Sequence, residues 1–172
     1  MPFVNVPSEP APVFDRDNAI FTAKVPAMGY AVYYYTQAVN FNRPRTSDAY
    51  KAKPSDPLTL ENAHLAVKFA QNGNIQSIVD KRNGKELLSG ETQAVVIDET
   101  EHDTWSHNKN YFDKEIGRFA VTSIEKIESN EIREIIKVTA EYGDSTLAQY
   151  YTLSAEEDMV RVRVKLNWNM MV

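Results

Sequence analysis

Apolar and polar side chains alternate along several segments in the second half of the chain, as they do in half-buried β-strands. Over residues 159–168, apolar side chains at every second position are separated by charged or amide ones. They are Val160, Val162, Val164, Leu166 and Trp168. The same period recurs at two earlier sets, which are Ile136, Val138, Ala140 and Tyr142, and Leu65, Val67 and Phe69. Because successive strand side chains point to opposite faces, each set is predicted to face a core.

Turn residues divide these segments into hairpins. Asn-Gly is a strong hairpin signal because both central residues of the turn favour positive φ. The turns and the strands after them are Asn72-Gly73 before 75–79, Asn83-Gly84 before 85–88, and Gly143-Asp144 before 145–153. Only residues 154–158 have a helical character. Ten or so antiparallel strands without a long helix predict an all-β fold, a sandwich or an open barrel.

The first 57 residues differ from the rest of the chain. All eight prolines lie between Pro2 and Pro57, and proline is confined to the edges and connections of sheets. Residues 1–19 are predicted to be an extended lead-in. Two short strands, 20–25 and 30–35, are expected to be joined by a turn at 26–29, and the polar residues 39–57 are predicted to form a linker. We therefore expect a boundary near Pro57, with residues 1–56 as the lead-in, hairpin and linker, and 57–172 as the sandwich domain.

Composition excludes several functional classes. The chain has 172 residues, no cysteine and a formal net charge of −5. The absence of cysteine excludes disulfides, thiolate metal sites and a cysteine nucleophile, and fits a cytoplasmic location. No segment is basic enough to follow a phosphate backbone, so nucleic acid is not expected as a partner. No apolar run approaches the roughly 18 residues of a membrane span, so no membrane partner is expected either.

One segment lacks either strand or helix periodicity. Residues 98–117 contain six carboxylates and two lysines, a formal charge of −4, together with three aromatic side chains. We call them the acidic segment. Such long loops inside domains are usually functional or disordered, and aromatic residues are depleted in disordered chain. This segment is therefore the first place to look for chemistry.

Three functional interpretations of the acidic segment compete with a structural one. His102 and His107 with nearby carboxylates could bind a metal, but their spacing in a loop fixes no geometry. A glycosidase pair could be Asp103 with Asp113 or Glu115, a weak signal because any acidic loop offers such pairs. A sugar-facing rim is favoured over these two: Trp105 offers a flat apolar face, and Asp103 and His107 offer hydrogen bonds. The structural alternative is that Trp105 only packs the loop onto the sandwich.

Three motifs in order resemble a known family. They are FTAKVPAMGYAVY at residues 21–33, LENAHLAVKFAQNGNIQSIVDKRNGKELLSG at 60–90, and DTWSH at 103–107. Together they are similar to glycoside hydrolase family 38, the α-mannosidases, in the region after the catalytic domain and most closely in the bacterial enzymes. The resemblance spans about residues 20–168, nearly the whole chain.

The resemblance implies a retaining enzyme that releases terminal α-linked mannose. In the family, zinc, its ligands and the aspartate nucleophile belong to an upstream α/β domain, so no catalytic or metal-binding residue is carried onto this chain. The matching region implies a galactose-mutarotase-like sandwich beside the catalytic domain, with loops at the rim of the active site. Asp103, Trp105 and His107 are the residues that the motif carries over as substrate-side candidates.

The family sandwich continues past the point that matches Trp168. The chain is therefore expected to be a piece of a longer enzyme, inactive alone, with an incomplete sandwich whose open edge could support a homo-oligomer. Its expected partners are the upstream catalytic domain and a mannoside, and it holds no cofactor itself. The alternatives are a free-standing carbohydrate-binding module, with Trp105 as a stacking platform, and a purely structural role in assembly of the parent.

Overall fold

The computed structural model of the chain describes residues 2–4, 13–15, 18–37, 52–53, 56–90, 92–99 and 113–169. Every regular element among these residues is a β-strand, which confirms the predicted all-β class. The strands are β1 (Pro2–Val4), β2 (Val13–Asp15), β3 (Asn18–Ile20), β4 (Tyr35–Gln37), β5 (Thr59–Glu61), β6 (Leu65–Phe69), β7 (Ile75–Asp80), β8 (Lys85–Glu86), β9 (Val95–Ile97), β10 (Glu115–Arg118), β11 (Ala120–Ser129), β12 (Arg133–Tyr142), β13 (Ser145–Ser154) and β14 (Arg161–Asn167).

Two four-stranded antiparallel sheets carry the fold. One has the strand order β5-β6-β7-β8, and the other has the order β11-β12-β13-β14. Each neighbour in these sheets is also the next strand along the chain, so both sheets are simple meanders. Strands β9 and β10 form a separate two-stranded hairpin. Short turns suffice for such connections because, in an antiparallel pair, the end of one strand lies beside the start of the next.

The main core lies between the two four-stranded sheets. Leu60 and Val67 from the first sheet and Ile136 and Leu153 from the second belong to one buried cluster. The predicted inward set Leu65, Val67 and Phe69 is buried, as the alternation requires. The inward set of β14 differs, because its side chains from Val162 onward remain about half exposed.

Glycine supplies the positive φ at each predicted hairpin turn. Gly73 has φ +80°, Gly84 +71° and Gly143 +54°. The expectation that the preceding asparagines also need positive φ is wrong: neither Asn72 nor Asn83 has it. These two turns are longer than two residues, and such loops need only one residue in the left-handed region.

The N-terminal region departs from the sequence prediction. Residues 20–25 and 30–35 were expected to be paired strands, yet the described pairs are β2 with β3 and β1 with β4. The turn itself is present, since the Gly29 amide donates to the Pro26 carbonyl at 3.1 Å. Residues 154–158 form no helix and make a turn instead. Most of the predicted linker lies outside the described residues.

Asn62 links the two sheets at the turn between β5 and β6. Its side-chain amide donates to the carbonyl oxygens of Ser154 and Glu157, both at 2.7 Å. Its side-chain oxygen accepts from the amides of His64 and Leu65, both at 2.8 Å. One side chain therefore shapes its own turn and also holds the turn between β13 and β14.

Replacing Asn62 with alanine is expected to lower the free energy of unfolding by about 2 kcal/mol, because four hydrogen bonds are lost at a half-buried site. Asn62→Asp is the matched control: it retains the acceptor for the β5–β6 turn but places a carboxylate oxygen against the carbonyl oxygens of Ser154 and Glu157. In urea denaturation both variants should be less stable than wild type, and repulsion between these oxygens should make Asn62→Asp no more stable than Asn62→Ala. Equal stability of all three would contradict the linking role.

Candidate functional site

The β9–β10 hairpin, which we call the hairpin stem, brings the two ends of the acidic segment together. Val95 pairs with Arg118, and Ile97 pairs with Glu115. Beyond the strands, the Asp98 amide donates to the Lys114 carbonyl at 2.9 Å. The same two residues form an ion pair, with the Lys114 ammonium 2.8 Å from the Asp98 carboxylate. The segment between them therefore leaves and returns at one point.

The loop is shorter than the sequence predicted. The acidic segment was expected to lack strand structure up to residue 117, but β10 already begins at Glu115. The strand is only four residues long and its register shifts between Glu115 and Gly117. A period of two cannot be recognised over so short and irregular a stretch.

Charged side chains form hydrogen bonds on the solvent-exposed side of the hairpin stem. The Arg118 guanidinium donates two hydrogen bonds to the Glu115 carboxylate and a third, at 3.0 Å, to the side-chain oxygen of Gln93. The hydrogen bonds from Arg118, and then its positive charge, lower the pKa of Glu115 below its usual value. Asp98 is meanwhile paired at the neighbouring position. The carboxylates at the base of the acidic segment are thus compensated by nearby cations.

Arg118→Met is expected to raise the pKa of Glu115 toward that of an ordinary glutamate, because the hydrogen-bonded cation is removed. The wild-type carboxyl has a depressed pKa when folded, so it stabilises the fold above the unfolded pKa. This stabilisation is lost as the pH falls through the folded pKa. A carboxyl-detected NMR titration measures the shift. Arg163→Met, which alters a cation on another strand, should leave the Glu115 pKa unchanged; an unshifted pKa in Arg118→Met would contradict the assignment.

The hairpin stem sits directly on the second sheet. Val96 and Phe119 are buried together with Ala140 and Leu147 in a second core cluster. Gly117 lies so close to Tyr142 that a Cβ atom there would come within 2.3 Å of the ring. The missing Cβ of Gly117 thus permits this close approach, and the burial of Val96 and Phe119 packs the base of the acidic segment against the sandwich.

Three aromatic rings lie beside this contact, and we call them the aromatic trio. The Phe119 ring centroid is 5.9 Å from that of Tyr142 and 6.5 Å from that of Trp168. Tyr142 and Trp168 are 6.5 Å apart and nearly parallel. Phe119 is buried, whereas Trp168 remains about half exposed. The trio therefore presents an indole surface to solvent next to the hairpin stem.

A small cavity of about 120 Å³ lies beneath the stem, between the sheets. Side chains that can donate or accept hydrogen bonds line part of it, and these are Asn74, Thr92, Gln93, Gln149 and Tyr151. Burial raises the pKa of the Tyr151 hydroxyl, which therefore remains a neutral donor. The dimensions and the polar lining suit a few ordered water molecules.

A larger, open cavity of about 800 Å³ lies on the outer face of the second sheet, with Ala52 on one side. Its lining includes Arg133, Tyr150, Arg161 and Arg163. Arg133 and Arg161 each bind a glutamate carboxylate, at 2.8 and 2.7 Å. Most of the charge in this cavity is already compensated within the fold.

The residues predicted from the DTWSH motif, Asp103, Trp105 and His107, lie outside the described residues, as does His102. The structure does describe the hairpin stem, which joins the two ends of the acidic segment. Sequence reasoning missed the role of Trp168, which was assigned only as an inward strand residue. Its partners Phe119 and Tyr142 come from two other strands or their ends, so alternation along β14 alone could not reveal the trio.

A metal site is one interpretation of the histidines and carboxylates of the acidic segment. Within the parts of the chain that the structure describes, no group of three histidine, aspartate or glutamate side chains is arranged to hold a metal ion. The donor sets at the stem are ion pairs with lysine and arginine. A cation competing for these carboxylates would have to displace those partners.

A comparison with known families identifies the domain that contains the two four-stranded sheets and the hairpin stem. Residues 60–171 match the C-terminal domain of the glycosyl hydrolases of family 38. The chain belongs to this family. The match begins in β5 and continues past β14, so it includes both four-stranded sheets, the hairpin stem and the aromatic trio of this family 38 domain. It confirms the family predicted from the ordered motifs.

No curated protein matches the chain. The described residues of the family 38 domain contain no helix that is long and apolar enough to cross a membrane.

Proposed function

We propose that this domain is the non-catalytic β-sandwich portion of an α-mannosidase, and that it lends the acidic segment to the rim of the active site. Membership of family 38 supports the coarser part, a C-terminal domain of a glycoside hydrolase with an upstream catalytic domain. In the parent, that catalytic domain would hold the zinc ion and perform retaining hydrolysis of terminal α-mannosides.

The observation that carries the rim role is the anchoring of the hairpin stem. Both ends of the acidic segment leave from one two-stranded ladder. Val96 and Phe119 pack that ladder onto the second sheet, and the Asp98–Lys114 ion pair joins its two strands at the outer end. Because its two ends are already held together, the segment loses less conformational entropy when it is ordered against a neighbouring domain than a segment with free ends would lose.

The chemistry of the segment suits a sugar. Trp105 supplies an apolar plane that can cover the C–H face of a pyranose ring, and Asp103 and His107 supply hydrogen bonds to hydroxyls. Such contacts would be made with the ground state and the transition state alike. Their loss is therefore expected to raise KM more than it lowers kcat.

The test uses the parent enzyme with its catalytic domain. Trp105→Ala is expected to reduce kcat/KM for an aryl α-mannoside about tenfold or more, mainly through KM, and Asp103→Asn and His107→Ala several-fold. Asp113→Asn, in the same segment but outside the DTWSH motif, is the matched control and should remain near wild type. If all three rim variants fold normally and retain wild-type KM, the rim role is wrong.

A further inference from the structure

The β13 strand carries a polar side chain on its inward face. Leu147 and Tyr151 on that face are only 6% and 7% exposed, and Gln149 lies between them at the same period of two. Its cross-strand partners, Val138 and Val164, are both apolar. Because an amide gains little from apolar neighbours, the Gln149 side chain needs hydrogen-bond partners in the space between the sheets.

Gln149 and Tyr151 both line the cavity of about 120 Å³ beneath the hairpin stem. Among the residues that the structure describes, neither the Gln149 side-chain amide nor the Tyr151 hydroxyl forms a hydrogen bond with another protein group. The Tyr151 ring is held by an edge contact with Phe69, with 5.0 Å between the ring centroids. Buried polar groups in folded proteins nearly always have a partner, so these two side chains point to an occupant of the cavity.

The lining of the cavity is neutral and chemically mixed. Hydrogen-bonding side chains such as Asn74 and Thr92 share it with the apolar side chains of Phe119, Val121 and Val138. No charged side chain of the described residues lines it, so a charged ligand would lose its hydration without gaining a counter-charge. Water can bond the polar groups, but the apolar ones offer it no partner. A neutral molecule that carries both hydroxyl and C–H groups suits both kinds of lining.

The volume of the cavity limits the size of such a molecule. An apolar cavity of about 150 Å³ in another protein holds one benzene molecule, so a pyranose ring with its hydroxyl groups is too large for this one. We propose that the cavity binds one small neutral polyol of three carbon atoms, the size of glycerol. Its hydroxyls bond Tyr151 and Gln149, and its C–H groups contact Val121 and Val138. This inference is independent of the mannosidase assignment, because no residue of the acidic segment takes part.

The probe is glycerol, titrated into the chain while NMR spectra follow the backbone amide signals of β13. We expect the signals of Gln149 and Tyr151 to shift and saturate, with a dissociation constant on the order of 1–10 mM. Tyr151→Phe removes only the hydroxyl group and should weaken binding about tenfold. Tyr150→Phe is the matched control, because the neighbouring ring lies on the opposite face of the strand, and it should bind glycerol as wild type does.

Gln149→Leu, which removes the second hydrogen-bonding group, should also weaken binding about tenfold, and circular dichroism verifies that each variant folds. Shifts that grow linearly with glycerol concentration and do not saturate overturn the proposal, because the cavity would then hold water alone. Equal affinity of Tyr150→Phe and Tyr151→Phe overturns it as well, since glycerol would then bind elsewhere. A saturable shift that is weakened by Tyr151→Phe and Gln149→Leu but retained in Tyr150→Phe supports it.

Discussion

Replacing Glu134 with alanine is expected to lower the free energy of unfolding by about 3 kcal/mol. The Glu134 carboxylate accepts from the Lys126 ammonium, whose side chain is only 5% exposed. It also accepts from the backbone amide of Glu61, at 2.7 Å. The substitution leaves a buried cation without its counter-charge and removes a link between β12 and β5.

Two variants isolate this cause. Glu125→Ala breaks an exposed ion pair with Lys137 on the same two strands, and is expected to change stability by less than about 1 kcal/mol. The double variant Lys126→Met/Glu134→Leu removes both charges and should be more stable than Glu134→Ala alone. Urea denaturation measures all of them. If Glu125→Ala and Glu134→Ala had equal effects, burial would not be the cause.

Gly73→Ala is expected to lower the free energy of unfolding by about 3 kcal/mol, as much as Glu134→Ala. Gly73 has φ +80°, and a Cβ atom there would lie 2.8 Å and 2.9 Å from side-chain carbons of Val121 and Val138. The substitution therefore combines the cost of a left-handed residue with a Cβ atom and overpacking of the space between the sheets.

Gly84→Ala separates these two causes. Gly84 has φ +71°, and nothing lies within 4 Å of the position that its Cβ would take. Gly84→Ala should therefore lower the free energy of unfolding only by the cost of placing a Cβ atom in the left-handed region, about 1 kcal/mol. The difference in unfolding free energy between the two variants then measures the clash. Equal losses would mean that the core yields to the added methyl group without cost.

The strands that could be predicted are those whose inward faces alternate without interruption. Leu65, Val67 and Phe69 are an example, and the structure confirms both their strand and their burial. β11 was not predicted, because its register shifts twice against β12, between Val121 and Ser123 and between Lys126 and Glu128. Each shift moves the following side chains to the other face, so no single period describes the strand.

The N-terminal pairing could not be predicted for a different reason. β1 and β4 are three residues each and pair across some thirty residues of chain. A strand that short contains no measurable period, and its partner is set by the tertiary fold.

The candidate site was predictable only in part. Composition drew attention to the acidic segment, and the structure shows how its base is anchored. The contacts that anchor it, Gly117 against Tyr142 and Tyr142 against Trp168, join residues far apart in sequence. The rim residues Asp103, Trp105 and His107 stay a prediction.

An α-mannosidase assay with added zinc on two purified samples, this chain and the parent enzyme that includes the catalytic domain, tests the non-catalytic assignment most directly. We expect hydrolysis of an aryl α-mannoside by the parent and none above background by the chain alone. Hydrolysis by the chain alone, retained through repeated purification and lost on substitution of its own carboxylates, would contradict the non-catalytic assignment. The carboxylates of the acidic segment would then be the first catalytic candidates.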